Sequence, residues 1–119
     1  MTDIRPARIS DASRLAQLSG VLGYPVSTDS MARRLGRVLA RAEDVIFVAG
    51  SPAGIVGWIH GAERDTLESE LRCEILGLVV DRDHRSRGVG RRLVAAVEAW
   101  AAARVKTSHI YRKPIGNRA

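Results

Sequence analysis

The sequence predicts a single α/β domain, an α+β arrangement around a mixed sheet, in the order β-α-α-β-β-β-α-β. Three observations carry this. The chain has 119 residues, the size of one ordinary domain and too short for two. Three segments repeat apolar residues at helical spacing, and the remainder contains β-branched runs bounded by turn residues. Between two of those runs, Gly50-Ser51-Pro52-Ala53-Gly54 is a turn, which makes an antiparallel hairpin.

Taken in order, Ile4-Arg5-Pro6-Ala7 is short and contains proline, as edge strands do. Ser10 and Asp11 offer N-cap side chains to a helix with Leu15, Leu18 and Leu22 at helical spacing, which Gly20, Gly23 and Tyr24-Pro25 bring to a close. A cap among Ser27, Thr28 and Asp29 opens a second helix. Its apolar stripe is Met31, Leu35, Val38, Leu39 and Ala42, and Arg33, Arg34, Arg37 and Arg41 fill the other face, read as a solvated one. Asp44 to Ala49 and Ile55 to Ala62 are the hairpin strands, and the polar stretch Glu63 to Ser69 reads as a loop. Leu71, Cys73 and Ile75 alternate with polar residues, but from Ile75 to Val80 every position except Gly77 is apolar. Either the second half of that strand is buried on both faces, or a bulge near Gly77 shifts its register. Asp81 to Gly90 is a charged loop, followed by a helix from Arg91 to about Arg104 with Leu93, Val97 and Trp100 on one face. Thr107 to Lys113 allows one short strand before Pro114 and Gly116. No repeat or interdomain linker interrupts residues 1–119.

Composition narrows the function classes. With 45% apolar and 27% charged residues, the chain has the make-up of a folded globular domain. No run approaches the roughly 18–20 apolar residues of a membrane span, and Met1-Thr2-Asp3-Ile4-Arg5 does not resemble a secretory signal. Cys73 is the only cysteine, which excludes a disulfide framework and a Cys-rich zinc site and reads as a small buried hydrophobe. The expectation is a cytoplasmic domain without a metal. Residues 1–81 carry 9 basic and 11 acidic side chains, whereas residues 82–119 carry 10 basic and 2 acidic ones. The net charge of +6 therefore resides in the last third, which points to an anionic ligand or partner there.

The stretch richest in chemistry is the apolar strand, then Arg85-Ser86-Arg87-Gly88-Val89-Gly90, then the helix. Two glycines at a helix N-terminus allow a tight turn and leave N–H groups without intrahelical partners. With the positive end of the helix dipole these donors suit a phosphate or pyrophosphate, and Arg85, Arg87, Arg91 and Arg92 surround the turn. The G-x-x-x-x-G-K-[ST] phosphate loop is absent, and so is the three-glycine dinucleotide fingerprint.

An R-x-x-G-x-G stretch, preceded by an apolar strand and followed by an amphipathic helix, resembles the acetyl-coenzyme A motif of the GNAT N-acetyltransferases. Gly57-Trp58 and Glu74-Ile75-Leu76-Gly77-Leu78-Val79-Val80 resemble that family too, and the element order matches it from residue 4 to about residue 104. The resemblance implies a GNAT-like fold whose cosubstrate is acetyl-CoA and whose acceptor is a primary amine. It implies that backbone groups of Leu78, Val79 and Val80 hold the pantetheine arm. Backbone N–H groups from Arg85 through Ser86, Arg87, Gly88, Val89 and Gly90 to Arg91 would hold the pyrophosphate. Glu74 stands where some family members carry a general base, a role that fits because a protonated amine must lose a proton before it attacks a thioester. The other reading of Glu74 is an ion pair with Arg72 or a neighbour. His60, on the adjacent strand, is a second base candidate.

The resemblance also implies a departure. Family members usually continue after the motif helix with a strand, a helix and two further strands, and residues 105–119 hold only a final strand and tail. Tyr111 is then a strand aromatic, or, under a second alignment, the acid that protonates the leaving thiolate. An open apolar strand edge in a shortened domain predicts a homodimer, possible through strand exchange. The function expected is acetyl transfer from acetyl-CoA to an unidentified amine. The alternatives are a CoA-binding, dimerising remnant of low activity and a small basic nucleic-acid-binding protein. Against the last stand a total of only five aromatic residues and the lack of any helix-turn-helix, zinc or RNA-binding sheet motif.

Overall fold

A computed structural model of the chain describes residues 2–21, 23–67, 69–85 and 87–107. Strand β1 (Asp3–Pro6) leads through a 3₁₀ turn at Ile9–Asp11 into helix α1 (Ala12–Val21) and then helix α2 (Thr28–Leu39). Strands β2 (Asp44–Ser51), β3 (Gly54–Thr66) and β4 (Ser69–Val80) follow, then a 3₁₀ turn at Arg82–His84 and helix α3 (Val89–Thr107). The sheet has the order β1-β2-β3-β4 and is antiparallel throughout its described strands. The strand expected over 107–113, on which the mixed character expected of the sheet rests, lies outside the described residues. The exception is Thr107 itself, which ends α3.

Local sequence explains most of these boundaries. Ser27 caps α2 by accepting the Ser30 N–H at 3.0 Å. Asp11 accepts the Arg8 N–H at 2.8 Å and two hydrogen bonds from the Arg5 guanidinium at 2.9 Å each, which ties β1 to the entry of α1. That guanidinium, joined by the Arg8 N–H, holds the Asp11 carboxyl below the ordinary carboxylate value against the opposing effect of burial. Because the folded-state pKa is depressed, the stabilisation is complete above the unfolded value and is lost as pH falls through the folded one. Asp11→Asn is therefore expected to cost about 2 kcal/mol at neutral pH. Denaturant titrations should show that difference shrinking as pH falls below the ordinary carboxylate range.

Two apolar clusters sandwich the sheet. On one face Leu15, Leu18 and Leu35 of α1 and α2 pack on Ile46 and Val48. On the other, Val89, Leu93 and Val97 of α3 pack on Ala49 and Ile59. The α3 face depends on two missing side chains in β3. A Cβ at Gly57 would stand 3.0 Å from the Val79 carbonyl oxygen and 3.3 Å from Leu93 Cδ1, and one at Gly61 only 2.6 Å from Val97 Cγ1. The helix rests on bare backbone there.

The hairpins differ from expectation in two respects. Glu63 to Ser69 is not a loop: β3 runs on to Thr66 and β4 resumes at Ser69, with Glu63 opposite Cys73 and Arg64 opposite Arg72. These polar residues lie beyond the core, so strand pairing there carries no apolar alternation to be read. Of the two causes offered for the apolar run in β4, the structure takes the bulge. His60 opposes Gly77 and Gly61 opposes Ile75, which leaves Leu76 as the extra residue. The run is not buried on both faces, since Ile75, Leu76 and Leu78 are 43%, 46% and 42% exposed. Cys73, expected to be buried, is likewise exposed.

Candidate functional site

The glycine turn stands at the end of β4 and is anchored from below. Arg14 of α1 donates to the Ile55 carbonyl at 2.8 Å and approaches Asp81 at 3.5 Å. The Asp81 N–H donates to the Val56 carbonyl at 2.7 Å, which continues the β3–β4 pairing past Val80. Gly88 then adopts φ +79°, a conformation that favours glycine, and nothing comes within 4 Å of a Cβ built there. The first helical bond of α3 runs from the Arg92 N–H to the Gly88 carbonyl at 3.0 Å. The N–H groups of Val89, Gly90 and Arg91 thus have no intrahelical acceptor and face outward at the positive end of a 19-residue helix.

The four arginines around this turn differ in engagement. Arg85 donates to the Val80 carbonyl at 3.2 Å and Arg92 to the Thr2 hydroxyl at 2.6 Å. Arg87 and Arg91 are exposed and make no ion pair with the described residues. Ser86 lies outside the described residues.

Next to the turn, β4 is the margin of the sheet among the described strands. The Asp81-to-Val56 bond marks the hydrogen-bonded pairs of the ladder, so Val79 and Gly77 turn their backbone groups toward β3. By the same alternation the N–H and C=O groups of Leu78 and Val80 turn away from β3, toward the side of β4 that no other described strand pairs with. The Arg85 bond to the Val80 carbonyl agrees with this. A strip of backbone donors and acceptors therefore leads into the glycine turn.

Across the sheet face that α1 and α2 cover, a cavity of about 640 Å³ opens beside the same strand. Leu76, Gly77, Leu78 and Val79 of β4 line one side and Arg34 and Arg37 of α2 the other, joined by Arg41 just beyond the end of that helix, with Trp58 and His60 at its floor. The Trp58 ring lies over Gly77, where a Cβ would stand 3.0 Å from two of its ring carbons. His60 Nε2 is 2.7 Å from Asp44 Oδ2, and the Asp44 side chain is 1% exposed. A carboxylate acceptor at Nε2 fixes the proton there and leaves Nδ1 as the basic ring nitrogen.

Glu74 is on this face as well, two positions along the ladder from His60. Its Oε2 accepts from Arg72 at 3.0 and 3.2 Å, and Oε1 is 3.8 Å from Arg64, which in turn is 3.8 Å from Asp44. Glu74 thus makes the ion pair weighed for it, and it does not line the cavity. Asp44 was not singled out by the sequence reading. No local signal identifies it, because its partnership with His60 depends on cross-strand register. Cys73 is on the opposite face, and partial burial together with Glu63 pushes its thiol pKa up, which is unfavourable for a nucleophile. Among the described residues, no cluster of His, Cys, Asp or Glu is arranged to hold a metal ion, and no helix is long and apolar enough to cross a membrane.

Comparison with known proteins bears on this arrangement. The profile of the acetyltransferase (GNAT) family matches residues 12–112. Among solved structures, a GNAT family acetyltransferase from Staphylococcus aureus superposes with a TM-score of 0.74 at 23% identity, covering 86% of this chain and 78% of that one. The aminoglycoside 6'-N-acetyltransferase AAC(6')-Ih of Acinetobacter baumannii gives 0.76 at 18% identity, over 98% and 90% of the two chains. The aminoglycoside N-acetyltransferase AAC(6')-Iy in complex with CoA also gives 0.76, at 20% identity over 98% and 87%. At these identities the likeness is one of fold. No curated protein matches the sequence.

Proposed function

The chain belongs to the GNAT acetyltransferase family, and from that premise we propose that it transfers an acetyl group from acetyl-CoA to a primary amine bound in the cavity between α2 and β4. The observation that carries this reading is the continuity of two donor sets. The free N–H groups of Val89, Gly90 and Arg91 adjoin the outward backbone groups of Leu78 and Val80. Pyrophosphate would sit on the turn at 85–91, with Arg87 and Arg91 adding charge. The pantetheine arm would extend beside Leu78, Val79 and Val80, and its thioester would reach the cavity side of β4. The residues fit the cosubstrate, since Gly88 leaves open space where the phosphates would approach. That AAC(6')-Iy was solved with CoA supports CoA as the carrier.

The acceptor first gives up its ammonium proton. The neutral nitrogen then attacks the thioester carbonyl carbon and a C–N bond forms; as the C–S bond breaks, the nitrogen releases its second proton, and one proton is delivered to the departing CoA thiolate, leaving an amide and a free thiol. We propose Glu74 as the proton acceptor, acting through water along the sheet face it shares with His60. A second reading gives the proton to His60, and the observation favouring it is specific: His60 lines the cavity and Asp44 orients its ring. Thiol release with Glu74→Gln and His60→Gln separates the two. The variant lacking the true base should lose about 100-fold in kcat, with the limb of the pH profile that reports the base removed, and the other should change less than about threefold. If neither variant loses activity, both readings fail.

Acetyl-CoA binding is checked by calorimetry, and turnover by CoA thiol release on a panel of amines. Binding without turnover would support the reading as a low-activity remnant. Salt-dependent binding to random DNA in place of acetyl-CoA would favour a nucleic-acid-binding protein. The cytoplasm, where acetyl-CoA is abundant, is the proposed location. A homodimer would use the β4 edge, and light scattering that gives the mass of one chain at high concentration would overturn that assembly.

A further inference from the structure

We propose that the acceptor amine is a small molecule that also carries an anionic group, a carboxylate or a phosphate, held by Arg34 and Arg37 of α2. This deepens the acetyl-transfer reading and rests on it. The cavity has the volume of a small-molecule site. Its charged lining is one-sided: Arg34, Arg37 and Arg41 face it, His60 lies at its floor, and no Asp or Glu is among the residues that line it. Asp44, which contacts the lining residues His60 and Arg41, has a side chain only 1% exposed, 2.7 Å from His60 and 3.8 Å from each of Arg41 and Arg64.

Arg34 and Arg37 are different. They stand three residues apart on one helix, are exposed, and make no ion pair with any described residue. Like charges at this spacing repel one another, and a guanidinium pair without counter-charge presents up to ten N–H donors to an incoming anion. An amine whose own charge is discharged during the reaction would be held by its anionic end on α2. Its nitrogen would then be directed across the cavity to β4, where the thioester is proposed to lie. A polycation of the aminoglycoside kind meets the reverse field, with three guanidinium groups and no carboxylate to receive its ammonium groups. Shared fold with aminoglycoside acetyltransferases therefore does not carry their acceptor over to this chain.

The test uses four acceptors at saturating acetyl-CoA: ethanolamine, β-alanine, O-phosphoethanolamine and kanamycin. The first three present the same two-carbon amine with a neutral, a carboxylate and a phosphate end. One or both anionic amines should exceed ethanolamine in kcat/KM by about tenfold or more, kanamycin should be the poorest, and the better anion identifies the group. In Arg34→Gln/Arg37→Gln the ratio of anionic to neutral acceptor should fall about tenfold, and raising salt should reduce it in the parent chain. A parent chain that prefers ethanolamine or kanamycin, or a ratio unmoved in the double variant, overturns the proposal. Calorimetric titration of O-phosphoethanolamine and β-alanine into the CoA-loaded chain gives a readout that does not need turnover. Binding of an anionic amine that the double variant loses supports the anion site even in an inactive chain, and absence of binding by both overturns it. Failure of the acetyl-transfer reading is seen separately, as lack of acetyl-CoA binding by the parent chain.

Discussion

Gly88→Trp is expected to abolish acetyl-CoA binding, reducing affinity by more than 100-fold in a calorimetric titration. Two effects combine at this position. The φ of +79° costs a non-glycine residue about 1–2 kcal/mol, and the indole would fill the open space before the N–H groups of Val89, Gly90 and Arg91. Because no atom lies within 4 Å of a Cβ built there, the side chain has room in the fold itself, and the melting temperature should drop by only several degrees. Gly88→Ala separates the effects, since it adds the backbone strain with little bulk and should retain measurable binding. Unchanged binding in the tryptophan variant would remove the pyrophosphate turn from its proposed place.

Gly61→Ala is expected to be the most destabilising single-methyl change in the molecule, by about 3 kcal/mol. Its Cβ would meet Val97 Cγ1 at 2.6 Å, closer than packed carbons approach, and Val97 is fully buried in the α3 cluster. Neither partner has an easy escape, because one is strand backbone and the other a β-branched residue in mid-helix. Val97→Ala alone should cost about 2 kcal/mol through the cavity it leaves. Combined, the two should be more stable than their summed effects by at least 1 kcal/mol, since each relieves the other. Strict additivity in denaturant unfolding would mean that α3 does not rest on β3 as described.

The parts of this molecule that follow local rules were legible in the chain. The helices follow from leucine and valine spacing, the β2–β3 turn from Gly50-Ser51-Pro52-Ala53-Gly54, and the turn that leads into α3 from Gly88 and Gly90. What escaped depends on register. With Ser51 opposite Gly54, even counting along the hairpin would set Asp44 opposite Gly61, on the face away from His60. A bulge at Val56 shifts the pairing so that Ile46 opposes His60 and Asp44 opposes Ala62, which brings Asp44 and His60 to one face. Such a one-residue insertion leaves no apolar pattern to read. The α2 arginines show a related limit. Arg34 and Arg37 lie on the helical face expected to be solvated, whereas Arg41 falls beyond the helix end at Leu39, and that all three line a cavity depends on how α2 crosses the sheet. The extension of β3 and β4 past Ala62 escaped because Glu63 and Arg64 pair with Cys73 and Arg72 without entering a core.

The sheet order has a consequence for how the chain folds. β2, β3 and β4 are joined by short turns and can pair as soon as the hairpins form, whereas β1 must return across two helices to set Asp3 against Gly50. Such a distant closure pays its loop entropy late. β1 should therefore dock last, with the Arg5–Asp11 link and the Arg92 bond to Thr2 forming after the rate-limiting step. Mutations in this strand would then mainly speed unfolding, whereas those at Ile59 or Val48 would slow folding.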